Sequence, residues 1–174
     1  MVLERTEKLA FNDDPVINDC GGQHMSKTEK EWFRVHSAVY LLLVRENKLL
    51  LLRRTNTGYE DGKLSLVAGK MDGNEEVKRA AAREAWEESG VRVDPADLEV
   101  ASVMHRLSDT GEWIDFFLTV KRWEGEPYNR EPDKCSEMAW YPLDGLPEDM
   151  IPHVRQAVEN VLAGVFYDSY GWQP

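Results

Sequence analysis

Apolar and polar positions follow two different periods along the chain, and each change of period marks an element. FRVHSAVYLLLV at 33–44 is apolar with β-branched residues, the polar turn RENK follows, and LLLLRR fills 49–54. These runs predict a β-hairpin whose strands are largely buried. TNTGYEDGK at 55–63 is a polar loop with two glycines, and LSLVAG at 64–69 predicts a short strand ending in glycine. EEVKRAAAREAWEES at 75–89 consists of strong helix formers and stops before Gly90, a residue suited to cap a helix C-terminus. Strand-like runs return at 98–106 and 112–123, a shorter one at 137–143, and 148–163 reads as a closing helix. Strands outnumber helices and lie on both sides of the first one, so the class is mixed α/β, a sheet flanked by helices. Residues 1–30 show no sustained period, which divides the chain into an N-terminal arm, 1–30, and a single domain, 31–174. His24-Met25 has the look of a cloning site before a native start, so residues 1–24 are expected to be a leader or cloning remnant; the alternative is a native arm packed on the domain.

Charge narrows the function classes. The chain holds 21 Lys+Arg against 32 Asp+Glu, a formal net charge of −11. Such a surface repels a nucleic-acid backbone, and no long Lys/Arg run offers a local exception, so no nucleic-acid partner is expected. A nucleotide is a different matter, because a metal ion can neutralise its phosphates. The apolar run AVYLLLV at 38–44 is broken by Arg45-Glu46-Asn47-Lys48, far short of the ~20 residues a membrane-spanning helix needs. Cys20 and Cys135 form neither a disulfide framework nor a zinc signature, and the N-terminus has no apolar signal segment. The cytoplasm is the expected location.

The chemistry concentrates on the first helix. At about 100° per residue, Glu84, Glu87 and Glu88 fall within an arc of about 100°, where like charges repel and weaken the helix. The same stripe runs back through Ala81, Ala80 and Val77 at the spacing of an inward face. A solvated acidic face balanced by Arg79 and Arg83 is the ordinary reading of a Glu-rich helix. Here the charges continue the packing face and a glycine-bounded loop feeds the helix. A hard cation answers such a cluster, since Mg²⁺ binds through carboxylates together with substrate phosphates.

GKMDGNEEVKRAAAREAWEESGV at 69–91 resembles the Nudix box: Gly, five residues, Glu, seven residues, Arg-Glu, an apolar residue, any residue, Glu-Glu, any residue, Gly, an apolar residue. The matching positions are Gly69, Glu75, Arg83-Glu84, Ala85, Glu87-Glu88, Gly90 and Val91. Seven fixed residues at frequencies near 6 % would match by chance roughly once in a million. The one soft position is Ala85, where bulkier aliphatics are common. KLSLVAGK at 63–70 and DFFLTVKRWEGEP at 115–127 are similar to the corresponding stretches of MutT-type nucleoside triphosphate pyrophosphohydrolases.

The resemblance implies a Nudix α/β/α sandwich and Mg²⁺-dependent hydrolysis of a phosphoanhydride, with Mn²⁺ as a substitute. The substrate expected from the MutT likeness is a (deoxy)nucleoside triphosphate, giving the monophosphate and pyrophosphate. Glu84, Glu87 and Glu88, with the carbonyl of Gly69, would hold the metal. Glu131 matches a glutamate that approaches it in that subgroup, and the general base would be Glu84 or Glu131. Arg83 would orient the glutamates, Glu75 would support the loop, and Arg54 and Lys70 match basic residues that meet substrate phosphates. Within the family, ADP-ribose, a nucleotide sugar or a dinucleoside polyphosphate stays open as substrate. The residues some 15–18 positions after the box, Arg106, Leu107, Ser108 and Asp109, lack the proline or tyrosine often found there in those subgroups. Asp149 and Met150 stand where MutT-like enzymes that remove oxidised guanine nucleotides carry an asparagine, which argues against that specificity. A nucleotide-binding regulator is the alternative from another class, and an allylic diphosphate isomerase shares the fold but lacks identifiable catalytic residues here. Oligomeric state is open, a homodimer included.

Overall fold

The computed structural model of the chain describes residues 32–172; the His24-Met25 junction and the reading of 1–24 lie outside them. The elements in order are β1 His36–Leu42, β2 Val44–Arg45, β3 Lys48–Arg54, β4 Leu64–Ser65, β5 Val67–Lys70, α1 Val77–Ser89, β6 Leu98–Ser108, β7 Gly111–Val120, β8 Cys135–Pro142, α2 Pro152–Ala163 and β9 Tyr167–Tyr170. A mixed five-stranded sheet runs β5-β1-β7-β6-β9, with β1 parallel to β7 and β9 parallel to β6. In a second, antiparallel sheet β3 is central, pairing with β8 along its length and with β2 and β4 at its two ends.

Strand β1 explains the layering. Its residues alternate between two cores: Ala38, Tyr40 and Leu42 join Val154, Ala157 and Val158 of α2, while Val39 and Leu41 join Ala80, Ala81 and Ala85 of α1. The two helices therefore cover opposite faces of the mixed sheet, as expected for an α/β/α sandwich. A strand buried on both faces reads as an unbroken apolar run.

Four expectations need correction. The runs 33–44 and 49–54 pair as a hairpin only beside the turn, where β2 meets β3 and the Leu50 N–H donates to Leu43 O at 3.0 Å; the rest of the first run lies in the other sheet, which the chain leaves at Leu43. The stretch 64–69 is likewise split at Leu66 between β4 in one sheet and β5 in the other. The closing helix starts at Pro152, because Asp149 and Ile151 are engaged in backbone hydrogen bonds with Leu64 and Pro152 is fitted to a first helical turn. Strand β9 follows the Gly164 cap, where the aromatic and β-branched run VFY carried a signal left unused.

His153 lies on the buried face of α2, 3 % exposed, with Nε2 3.4 Å from the Tyr40 hydroxyl. Burial first, then the positive charge of Arg106, pushes its imidazole down to about 3. An unfolded histidine titrates near 6.5. Below that pH the unfolded chain takes a proton the folded chain refuses, so this contribution is complete above about pH 6.5 and is lost as the pH falls toward 3. Between about pH 7 and pH 5 the loss amounts to about 2 kcal/mol. Urea unfolding at both pH values checks it: the stability of His153→Leu should fall less than that of the wild type by about this amount, and parallel losses would show that His153 is protonated in the fold.

Candidate active site

The box forms one continuous hydrogen-bonded unit. Glu76 caps α1 by accepting from the backbone N–H groups of Lys78 and Arg79, and Gly90 closes the helix in the left-handed conformation, φ 70°. Side chains as small as Ala80, Ala81 and Ala85 let α1 press against β5 and β1. Gly69 on β5 faces Glu84 so closely that a Cβ there would overlap the carboxylate. One turn on, Glu88 Oε2 accepts the Ala68 N–H at 2.9 Å, an edge donor of the mixed sheet.

Arg83 ties the unit together. Its guanidinium donates to Glu75 at 2.7 and 3.2 Å, to Glu84 Oε1 at 2.7 Å, to Glu87 Oε2 at 3.0 Å and to the Lys70 carbonyl at 3.1 Å. Glu75 also accepts the Asp72 N–H at 2.6 Å, which fixes the loop entering α1. The Arg83 hydrogen bond holds the Glu75 carboxyl below the usual range.

Glu131 reaches the same place by another route. A helix leaves its last carbonyls without intrahelical donors. Here the loop before β8 supplies them: Tyr128 N–H donates to Ser89 O at 3.0 Å, Arg130 N–H to Glu88 O at 3.1 Å, and the Arg130 guanidinium to Trp86 O at 2.6 Å. Glu131 follows at once and lines one cleft with Glu84, Glu87, Glu88 and Gly69. The other acids of that loop do not: Glu126 pairs with Arg45 at 2.8 Å, Glu137 with Arg53 at 2.7 Å, and neither Glu124 nor Asp133 lines the cleft.

Burial pushes the Glu88 carboxyl up to about 8, with Glu84 and Glu131 adding to the rise and the Ala68 N–H opposing it. Burial likewise raises Glu84 against the pull of Arg83. Arg83 and Lys134 hold Glu84 and Glu131 at 2.7 and 2.8 Å, while among the described residues no cation hydrogen-bonds Glu88. Among the described residues no three His, Cys, Asp or Glu side chains are already drawn into a metal cage. The donor set, all oxygen and under-compensated in charge, fits a hard divalent cation.

The cleft has a volume of about 460 Å³ and adjoins a second cavity of about 310 Å³; Arg54, Thr57, Ser65, Ala68 and Gly69 line both. Arg54, packed over Tyr59 at 5.6 Å, therefore stands between them. Lys70 lines the second cavity and not the glutamate cleft, with Nζ 5.4 Å from the centre of the Trp113 ring. Sequence reasoning missed a buried pair beside it: Arg106 Nε and Nη2 donate to Asp115 at 2.6 and 3.3 Å. Its signal was an acid on the inward stripe Trp113, Asp115, Phe117, where every other residue is apolar. Burial pushes the Asp115 carboxyl up and Arg106 opposes it.

A family model described as the NUDIX domain matches residues 34–161. The chain is 28 % identical over 125 residues to the 8-oxo-dGTP diphosphatase of Escherichia coli K12, a match covering 72 % of this chain and 93 % of that protein. It is 29 % identical over 109 residues to the oxidized purine nucleoside triphosphate hydrolase of Danio rerio, covering 62 % and 67 % of the two chains. The crystal structure of a MutT NUDIX hydrolase from Burkholderia pseudomallei superposes with a TM-score of 0.67 at 28 % identity, over 73 % of this chain and 98 % of that one. With the box intact on α1 and the sandwich around it, the chain belongs to the Nudix family of hydrolases and resembles its MutT-type members.

Proposed function

We propose that the chain hydrolyses a nucleoside triphosphate to the monophosphate and pyrophosphate, with Mg²⁺ as cofactor. The observation that carries this is the convergence of Glu84, Glu88 and Glu131 on one cleft beside a cavity with basic residues on its lining. Glu84, Glu87, Glu88, Glu131 and the Gly69 carbonyl would hold the metal. When bound, Mg²⁺ supplies charge neutralisation for the phosphates and lowers the pKa of a coordinated water. Arg54, at the junction of cleft and cavity, would orient the phosphate chain, and Lys70 would meet it from the cavity side. Glu131, with Oε1 held by Lys134 at 2.8 Å, presents its other oxygen to take a proton from the attacking water. The water oxygen forms a new bond to phosphorus, the bridging P–O bond breaks, and pyrophosphate leaves. Arg83 keeps Glu84 and Glu87 from swinging away. A cytoplasmic setting goes with this reading; Cys135 is a free, buried thiol.

A panel of nucleotides followed for phosphate and pyrophosphate release tests it. Triphosphates should be consumed with pyrophosphate as product, only with a divalent cation, and EDTA should abolish the reaction. Tight nucleotide binding without turnover across the panel would overturn the reading in favour of a regulator.

A further inference from the structure

The second cavity differs in character from the glutamate cleft. Arg54, Lys70 and Arg106 line it and, among the described residues, no acid does, although the chain as a whole is strongly acidic. Its remaining walls are largely apolar or aromatic, with Ala38, Tyr40, Trp113 and Ile151 buried and Tyr59 exposed at the lip. Arg106 is 5 % exposed and lines this cavity but not the cleft, so it is not part of the shared wall of Arg54, Thr57, Ser65, Ala68 and Gly69.

Asp115 occupies one edge of the guanidinium through Nε and Nη2. The Trp113 ring lies below its plane, 5.0 Å from Cζ, and Trp113 is itself fixed by donating to Thr110 Oγ1 at 3.0 Å. The other edge, Nη1 and the second N–H of Nη2, has no partner among the described residues. Asp115 largely cancels the charge of Arg106 and fixes its plane. What remains toward the cavity is a directional pair of donors, which matches two adjacent acceptors held in one plane.

We propose that this fork reads the base of the substrate and selects guanine, accepting on O6 and N7. This rests on the nucleoside triphosphate reading of the adjoining cleft. A purine whose sugar faces the shared wall brings its major-groove edge, O6/N7 in guanine, against Arg106 when it turns that side inward. Guanine offers two acceptors on its O6/N7 edge, whereas adenine offers N7 beside the N6 amino donor, which meets the fork donor to donor. Cytosine has an acceptor pair as well, N3 and O2, but on a single ring, so with its sugar at the shared wall it reaches less far toward Arg106 than O6 of guanine does. In 8-oxoguanine N7 carries a proton, so the oxidised base loses the pair. Selection should therefore run against the substrate named for the bacterial relative.

The test is kcat/KM for GTP, ATP, CTP, UTP, dGTP and 8-oxo-dGTP with Mg²⁺, alongside calorimetric titration of GMP and AMP. The wild type should favour GTP over ATP by roughly 5- to 150-fold, the worth of one good bidentate contact, and dGTP over 8-oxo-dGTP in the same sense. Arg106→Lys keeps a cation for Asp115 but loses the fork, and should bring the GTP/ATP ratio to within about threefold of unity, chiefly through KM. Because a lone buried acid destabilises, the double variant Arg106→Leu/Asp115→Leu removes the pair together and should give the same loss of preference. A preference for adenine or a pyrimidine, or a guanine preference that survives in the variants, overturns the proposal. Should no nucleotide be hydrolysed, the proposed function fails, while the GMP/AMP affinity ratio still decides the base reading: at least fivefold supports it and unity overturns it.

Discussion

Glu88→Gln is expected to lower kcat/KM by roughly 10²–10⁴-fold, the size of several kcal/mol of lost transition-state charge stabilisation. It should also raise the Mg²⁺ concentration needed for half-maximal rate. The amide keeps an oxygen to accept the Ala68 N–H, so the contact between α1 and β5 survives and unfolding by heat should not come earlier. What the substitution removes is a carboxyl able to ionise toward a cation, an ionisation that burial and two neighbouring carboxylates oppose while no cation is there. Titrating Mg²⁺ against rate in both proteins checks the expectation, and equal rates at equal metal would take Glu88 out of the metal's ligands.

For Glu131→Gln, kcat should fall by roughly 10²–10⁴-fold while KM changes little, because proton abstraction is realised in the transition state and not in ground-state binding. Asp133→Asn and Glu126→Gln serve as controls near wild-type rate: the Asp133 side chain does not line the cleft, and Glu126 faces Arg45. Steady-state kinetics on the four proteins decides the assignment. A Glu131→Gln protein with most of its activity would move the base to Glu84, whose carboxylate lies in the same cleft.

The box was legible because its chemistry is local: one helix and the loop entering it carry Gly69, Glu75, Arg83, Glu84, Glu87 and Glu88, and helical spacing alone puts the glutamates together. Glu131 became legible through resemblance, while the physical cause of its position, the loop's donation to the last carbonyls of α1, is a tertiary matter. The strand pairing was not legible. LLLVRENKLLLL has the same apolar look whether its halves pair with each other or enter different sheets, since both halves are buried on both faces. Nor did Arg106 and Asp115 stand out until the register placed Trp113, Asp115 and Phe117 on one inward stripe and Met104 opposite Asp115.

The division of the chain between two sheets at Leu43 and Leu66 has a thermodynamic consequence. The box glutamates are carried by α1 on the mixed sheet, whereas Glu131 and Lys134 lead directly into β8 of the other. Whatever bridges Glu131 to Glu84 and Glu88 is therefore a clasp across the seam, and its binding and the docking of the two sheets form one linked equilibrium. Ligation would then raise the stability of the whole domain by mass action, not merely that of a surface loop.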